Sequence, residues 1–93
     1  MRTVFKYRLP EPFYSPATLH EGDESKVLLP EGWELLHVGV QGDGFYLWAL
    51  VETDAPTVTE WFCVVGTGWE VKPELRHCGT IQQGPYVWHV FTT

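Results

Sequence analysis

The stretch Trp33-Glu34-Leu35-Leu36-His37-Val38-Gly39-Val40-Gln41-Gly42-Asp43-Gly44-Phe45-Tyr46-Leu47-Trp48-Ala49-Leu50-Val51-Glu52-Thr53 places two alternating runs on either side of a Gly/Asp cluster. Alternation of this kind makes half-buried strands, and Asp-Gly between two such runs makes a hairpin. With Asp43-Gly44 as a two-residue loop, strands 33–41 and 45–53 pair Val40 with Leu47, Val38 with Ala49 and Leu36 with Val51. Side chains alternate along a strand, so these pairs share one apolar face. The opposite face then carries Gln41–Tyr46, Gly39–Trp48 and His37–Leu50. Gly39 leaves room there for the Trp48 indole to lie over the backbone.

Further along the chain, residues 77–82 and 85–92 read as a second hairpin across Gln83-Gly84, with Gly79 opposite Trp88. Shifting the sequence by forty superposes Glu34, Leu35, His37, Gly39, Gly44, Tyr46 and Trp48 on Glu74, Leu75, His77, Gly79, Gly84, Tyr86 and Trp88. The matches predict a pseudo-repeat, a strand followed by a hairpin, used twice. Leu75, Ile81, Tyr86, Trp88 and Val90 form the apolar face of the second hairpin. Thr80–Val87, Cys78–His89 and Arg76–Phe91 form a mixed one.

The remaining segments fit the same class. Residues 2–9 alternate, with Thr3, Phe5, Tyr7 and Leu9 on one side and Arg2, Val4, Lys6 and Arg8 on the other, as suits an edge strand. Pro10, Pro12 and Pro16 open a long loop over residues 10–25, and Val27-Leu28-Leu29 is a short pairing segment before Pro30-Glu31-Gly32 turns the chain. Asp54-Ala55-Pro56-Thr57 is a turn, and residues 59–66 are a strand ending at Gly66-Thr67-Gly68. Ninety-three residues make one domain, and fourteen aromatic rings supply much of its burial. The expected fold is all-β: a small antiparallel sandwich or partly open barrel of six to seven strands. Neither hairpin shows a simple wet side, and surplus apolar surface predicts a homodimer or higher oligomer.

Charge narrows the functional classes. The net charge is −6, which repels phosphate backbones and argues against nucleic acid as a partner. Residues 1–10 hold three cations, whereas residues 11–34 hold six acids against Lys26. No apolar run approaches the ~20 residues of a membrane helix, and the N-terminal residues lack a signal-peptide pattern. Cys63 and Cys78 form no C-x-x-C pair and read as reduced thiols of a cytoplasmic protein.

No enzymatic constellation stands out. Cys78 and His89, read as cross-strand neighbours, are a candidate thiolate pair or two ligands of a zinc site. A structural zinc site needs four ligands, and a buried Cys on a sheet face is ordinarily inert. Ser15 and Ser25 lie outside any G-x-S-x-G setting, and no helix pattern follows Gly66-Thr67-Gly68 as a phosphate loop requires. The expectation is therefore a non-enzymatic protein without cofactor or metal. Candidate binding residues are His37, Tyr46, Trp48, His77, Tyr86 and Trp88, which suit packing, protein contact or an aromatic-walled small-ligand cleft between the repeats.

Several stretches are similar to one known family. His37-Val38-Gly39-Val40-Gln41, Leu47-Trp48-Ala49-Leu50-Val51, Asp54-Ala55-Pro56-Thr57, Val64-Val65-Gly66-Thr67-Gly68 and Gly84-Pro85-Tyr86-Val87-Trp88-His89-Val90-Phe91, with Tyr7-Arg8-Leu9-Pro10, resemble small uncharacterised proteins of tailed bacteriophages and prophages. The resemblance spans nearly the whole chain and carries no catalytic residues. It implies a phage accessory factor acting on a host or phage protein in the host cytoplasm, or a minor virion component. The 10–25 loop is longer and richer in proline than is usual in such proteins.

Overall fold

The computed structural model describes residues 1–12 and 26–93. Most of the predicted 10–25 loop, residues 13–25, lies outside the described residues. Among the described residues there are seven strands and no helix: β1 (Arg2–Arg8), β2 (Lys26–Pro30), β3 (Glu34–Gln41), β4 (Gly44–Glu52), β5 (Thr57–Gly66), β6 (Arg76–Gln83) and β7 (Tyr86–Thr92). They form a three-stranded sheet, β1-β4-β3, and a four-stranded sheet, β2-β5-β7-β6, with every pair antiparallel. The two sheets stack as an open sandwich, not a closed barrel.

The core is what the alternation dictates. Val38, Phe45, Leu47, Ala49 and Val51 project from the first sheet, and Val27, Leu29, Phe62, Val64, Ile81 and Val90 from the second, with Leu9 closing one end. Fully burying each large apolar side chain contributes roughly 1.5–3 kcal/mol. The apolar faces of the two hairpins thus cover each other. β3 and β6 approach so closely that a Cβ on Gly79 would lie 2.5 Å from Val38 Cγ2. A second cluster of Cys63, Val65 and Leu75, with Trp69, Val71 and Phe91, lies on the outer face of the four-stranded sheet under the β5–β6 connection.

Both hairpin registers differ from the predicted ones by two residues. The first pairs Gln41 with Gly44, Val40 with Phe45, Gly39 with Tyr46, Val38 with Leu47 and His37 with Trp48. Its loop is Gly42-Asp43, not Asp43-Gly44. Gly42 has φ +63°, and Asp43 is not in the left-handed region, the φ pattern of a type II′ turn. The second hairpin repeats this with Gly84 at φ +56° followed by Pro85, and it pairs Gln83 with Tyr86 and Ile81 with Trp88. A slip of two preserves which face each side chain occupies, so the apolar set between turn and β-bulge survives while its cross-strand neighbours change. Leu75, predicted on the face of Ile81 and Val90, lies beyond the β-bulge at Cys78 and packs in the outer cluster instead. Gly39 is thus opposite Tyr46, and Gly79 opposite Val90, rather than opposite the tryptophans. The Trp48 ring still reaches Gly39 diagonally, 3.6 Å from where a Cβ would stand.

Each hairpin also carries a β-bulge, at Leu36 and at Cys78. The bulge turns Leu36 outward and Leu35 inward, because one extra residue reverses the alternation. Bulges and turn glycines are both 42 residues apart (Leu36/Cys78, Gly42/Gly84), so the hairpins correspond at an offset of 42, not forty. The topological repeat holds: β1 pairs with β4 of the β3–β4 hairpin, and β5 with β7 of the β6–β7 hairpin.

Candidate functional site

The outer face of the three-stranded sheet collects the first group of candidate residues. His37, Tyr46 and Trp48 point away from the core here, joined by Lys6 and Arg8 from β1, which pair with Trp48 and Tyr46. The His37 and Trp48 rings lie 5.5 Å apart, and those of Tyr46 and Trp48 6.2 Å apart. Lys6 Nζ sits 4.7 Å from the Tyr46 ring centroid and donates to Gln41 Oε1 at 2.5 Å. The Arg8 guanidinium carbon is 5.4 Å from the same centroid and pairs with Glu11 at 2.8 Å. The Glu11 hydrogen bond, then the Tyr46 ring, raise the Arg8 pKa further above its ordinary value, so this cation is permanent. The guanidinium lies against Gly44, where a Cβ would stand 2.7 Å from its central carbon and push the side chain aside. The result is an aromatic patch capped by two cations on an otherwise acidic chain.

Tyr86 and Trp88 lie elsewhere. They line an apolar groove of about 360 Å³ at one end of the sandwich, with Gly66, Thr67, Trp69, Pro85 and Val87 around it. Their rings are stacked, 6.0 Å apart and 26° from parallel. Trp69 meets Trp88 edge to face at 5.8 Å and 77°. Phe45 of the other sheet supports Trp88 from behind at 5.9 Å, and Trp88 Nε1 donates to Gln83 Oε1 at 3.0 Å. The turn Gly66-Thr67-Gly68, closed by Trp69 N–H to Gly66 O at 3.1 Å, delivers the Trp69 indole into this position.

His77 belongs to neither surface. It lies on the outer face of the four-stranded sheet, in a polar chain running from His77 Nε2 to Thr80 Oγ1 (3.1 Å), Thr80 Oγ1 to His89 Nδ1 (3.4 Å) and His89 Nε2 to Thr67 Oγ1 (2.9 Å). Thr67 in turn donates to Val87 O at 3.4 Å. His89 is opposite Thr80, and Cys78 sits on the bulge, so the predicted Cys78–His89 cross-strand pair does not form. Both thiols are free. Burial raises the pKa of each, that of Cys63 to about 11.

The six candidate residues therefore divide among three places instead of lining one cleft between repeats. Sequence reasoning missed Lys6, Arg8 and Trp69. The alternation of β1 had already put both cations on the outward face. Trp69 carried no periodic signal, because it follows a turn. Among the described residues, no helix is long and apolar enough to cross a membrane.

No curated protein and no solved structure matches the chain. The family of the Domain of unknown function (DUF7352) matches it from residue 1 to residue 93, and the chain belongs to that family.

Proposed function

We propose that this chain is a non-enzymatic binding domain that engages a partner protein through the outer face of its three-stranded sheet. The observation that carries the reading is the pair of cations, Lys6 and Arg8, held over Tyr46 beside Trp48 and His37. Half of the six Lys and Arg residues fall on β1, in a chain with twelve acids. Such a face complements an acidic segment that also presents apolar side chains, and charge complementarity speeds and orients encounter. Tyr, Trp and Arg are the residue types that dominate interface energetics. A non-enzymatic role is supported by the two thiols, whose raised pKa values oppose the nucleophilic thiolate.

The setting we propose follows the resemblance to tailed-phage and prophage proteins: an accessory factor acting in the host cytoplasm. Exposed Val4 and Phe5 on β1, the edge strand of its sheet among the described residues, support self-association as a homodimer or larger oligomer. Light scattering coupled to size-exclusion chromatography tests that part, and a monomer at every concentration refutes it.

The main test is affinity capture from host lysate with the wild-type chain and with the Lys6→Glu/Arg8→Glu variant. A reproducible protein partner, released by salt and lost on charge reversal but kept by Tyr86→Ala, is the expected result. A partner that binds the charge-reversed chain equally well refutes the assignment of this face.

A further inference from the structure

We propose that the groove formed by Trp69, Tyr86 and Trp88 is a binding site for an uncharged, planar ring compound, independent of the partner-binding face. Its shape gives the first reason. Tyr86 and Trp88 stack on each other along one side of the groove, 6.0 Å apart and 26° from parallel, while Trp69 stands almost perpendicular to Trp88. A flat ring entering this groove meets aromatic side chains that offer both offset-stacked and edge-to-face contact, the two arrangements that aromatic quadrupoles favour.

The polar groups at the site select among ligand classes. None of the described lining residues is charged, so an ion would find no charged partner among them to offset its lost hydration. Trp88 Nε1 is spent on Gln83, and the Thr67 hydroxyl is spent on Val87 O and His89. A proline-rich segment presents a row of carbonyl acceptors and needs donors along its groove, as in the aromatic-lined grooves that read such segments. A sugar needs several polar partners for its hydroxyls. A planar ring needs only the faces that are present, with its polar edge turned to water. The volume of about 360 Å³ falls in the range of small-molecule sites.

The position of the Trp69 indole is set by one glycine. A Cβ on Gly66 would stand 2.9 Å from the Trp69 indole, so the indole occupies space that any other residue would claim. Gly66 has no positive φ, hence alanine there is opposed by the indole alone. Gly66→Ala therefore displaces the Trp69 indole, while Tyr86→Ala removes the outer ring of the stack at a residue that is 60% exposed and outside the core.

Caffeine, uncharged, planar and soluble, is the probe. The assay is a ¹H–¹⁵N NMR titration of the full chain that follows the indole N–H signals of all five tryptophans, with glucose and a decaproline peptide in parallel. The expected result is saturable movement of the Trp69 and Trp88 signals with a Kd of about 1 mM, the ligand-efficiency expectation for a fragment of this size. Trp48, which is partly exposed on the other sheet, should stay still and so report on non-specific stacking. Tyr86→Ala should weaken binding about tenfold, the scale of one lost stacking ring. Gly66→Ala should weaken it too, with an unchanged Trp33 signal showing that the fold is kept. The proposal is overturned if no saturation occurs, if Trp48 moves as much as Trp88, if both variants bind caffeine as the wild type does, or if glucose or decaproline saturates the groove at lower concentration.

Discussion

Replacing Gly79 with alanine tests how the two sheets meet. Gly79 lies on β6 opposite Val90 and faces Val38 of β3 across the sandwich. The added Cβ would lie 2.5 Å from Val38 Cγ2, closer than carbon atoms approach in folded proteins. Val38 is only 7% exposed and β-branched, so its methyl group cannot swing aside, and the strands must separate. Overpacking of this kind costs roughly 1–3 kcal/mol. The φ of Gly79 is not positive, so alanine is permitted by the backbone and recovers about 0.4–1 kcal/mol of unfolded-state entropy. The net loss is about 1–2 kcal/mol, and for a domain of this size the Tm falls by roughly 5–15 °C. Val38→Ala alone costs about 2 kcal/mol through the cavity it leaves. In the double variant the new methyl group occupies part of that cavity, so its loss falls short of the sum by about 1 kcal/mol or more. Urea unfolding of the four proteins measures the cycle. Additivity within about 0.3 kcal/mol would mean that Gly79 and Val38 are not in contact, and the sandwich would have to be rebuilt.

The two turn glycines make a simpler case. Gly42→Ala and Gly84→Ala place a Cβ in open space at left-handed φ, so each should cost about 1–2 kcal/mol from backbone strain alone in thermal or urea unfolding. Cys63 links stability to alkaline pH. Its folded pKa of about 11 exceeds the ordinary 9, so between these values the unfolded chain releases a proton that the folded one keeps, and stability falls as pH rises. Urea titrations from pH 8 to 11 should show a slope approaching about −1.4 kcal/mol per pH unit from this thiol, reduced in Cys63→Ala. The same thiol should resist iodoacetamide at pH 8 until the chain is unfolded. Trp33→Phe removes the Trp33 Nε1 bond to Glu60 Oε2 (2.7 Å) beside Phe62 and should cost about 1–2 kcal/mol in urea midpoints.

The strand content and the faces were legible because both depend on parity. Val38, Leu47, Ala49, Ile81 and Val90 point inward whether the loop is Asp43-Gly44 or Gly42-Asp43. The register was not legible, because Gly42-Asp43-Gly44 offers two overlapping turns, I′ on the Asp-Gly pair and II′ on the Gly-Asp pair. The structure takes the second, with Gly42 at φ +63° and Gly44 already in β4. Leu36 was misplaced for another reason: a bulge reverses alternation without leaving any mark in composition. The candidate site fared likewise. Alternation correctly grouped Tyr46 with Trp48 and Tyr86 with Trp88, but which pair remains at the surface depends on how the sheets stack. The identity at an offset of forty, though real as sequence, aligns Tyr46 with Tyr86, whereas the hairpin geometry matches Tyr46 to Trp88.

One strand breaks the twofold pattern. β2 precedes the first hairpin in the chain, yet it is hydrogen-bonded to β5 and sends Val27 and Leu29 into the sandwich from the four-stranded side. The later half thus borrows an edge from the earlier one, and neither half holds a complete sheet pair by itself. Melting should accordingly be a single cooperative event with no half-unfolded species. If the domain arose by duplication, this borrowed strand is the stitch that made the copies inseparable, and a chain cut between β4 and β5 would have to reassemble through it.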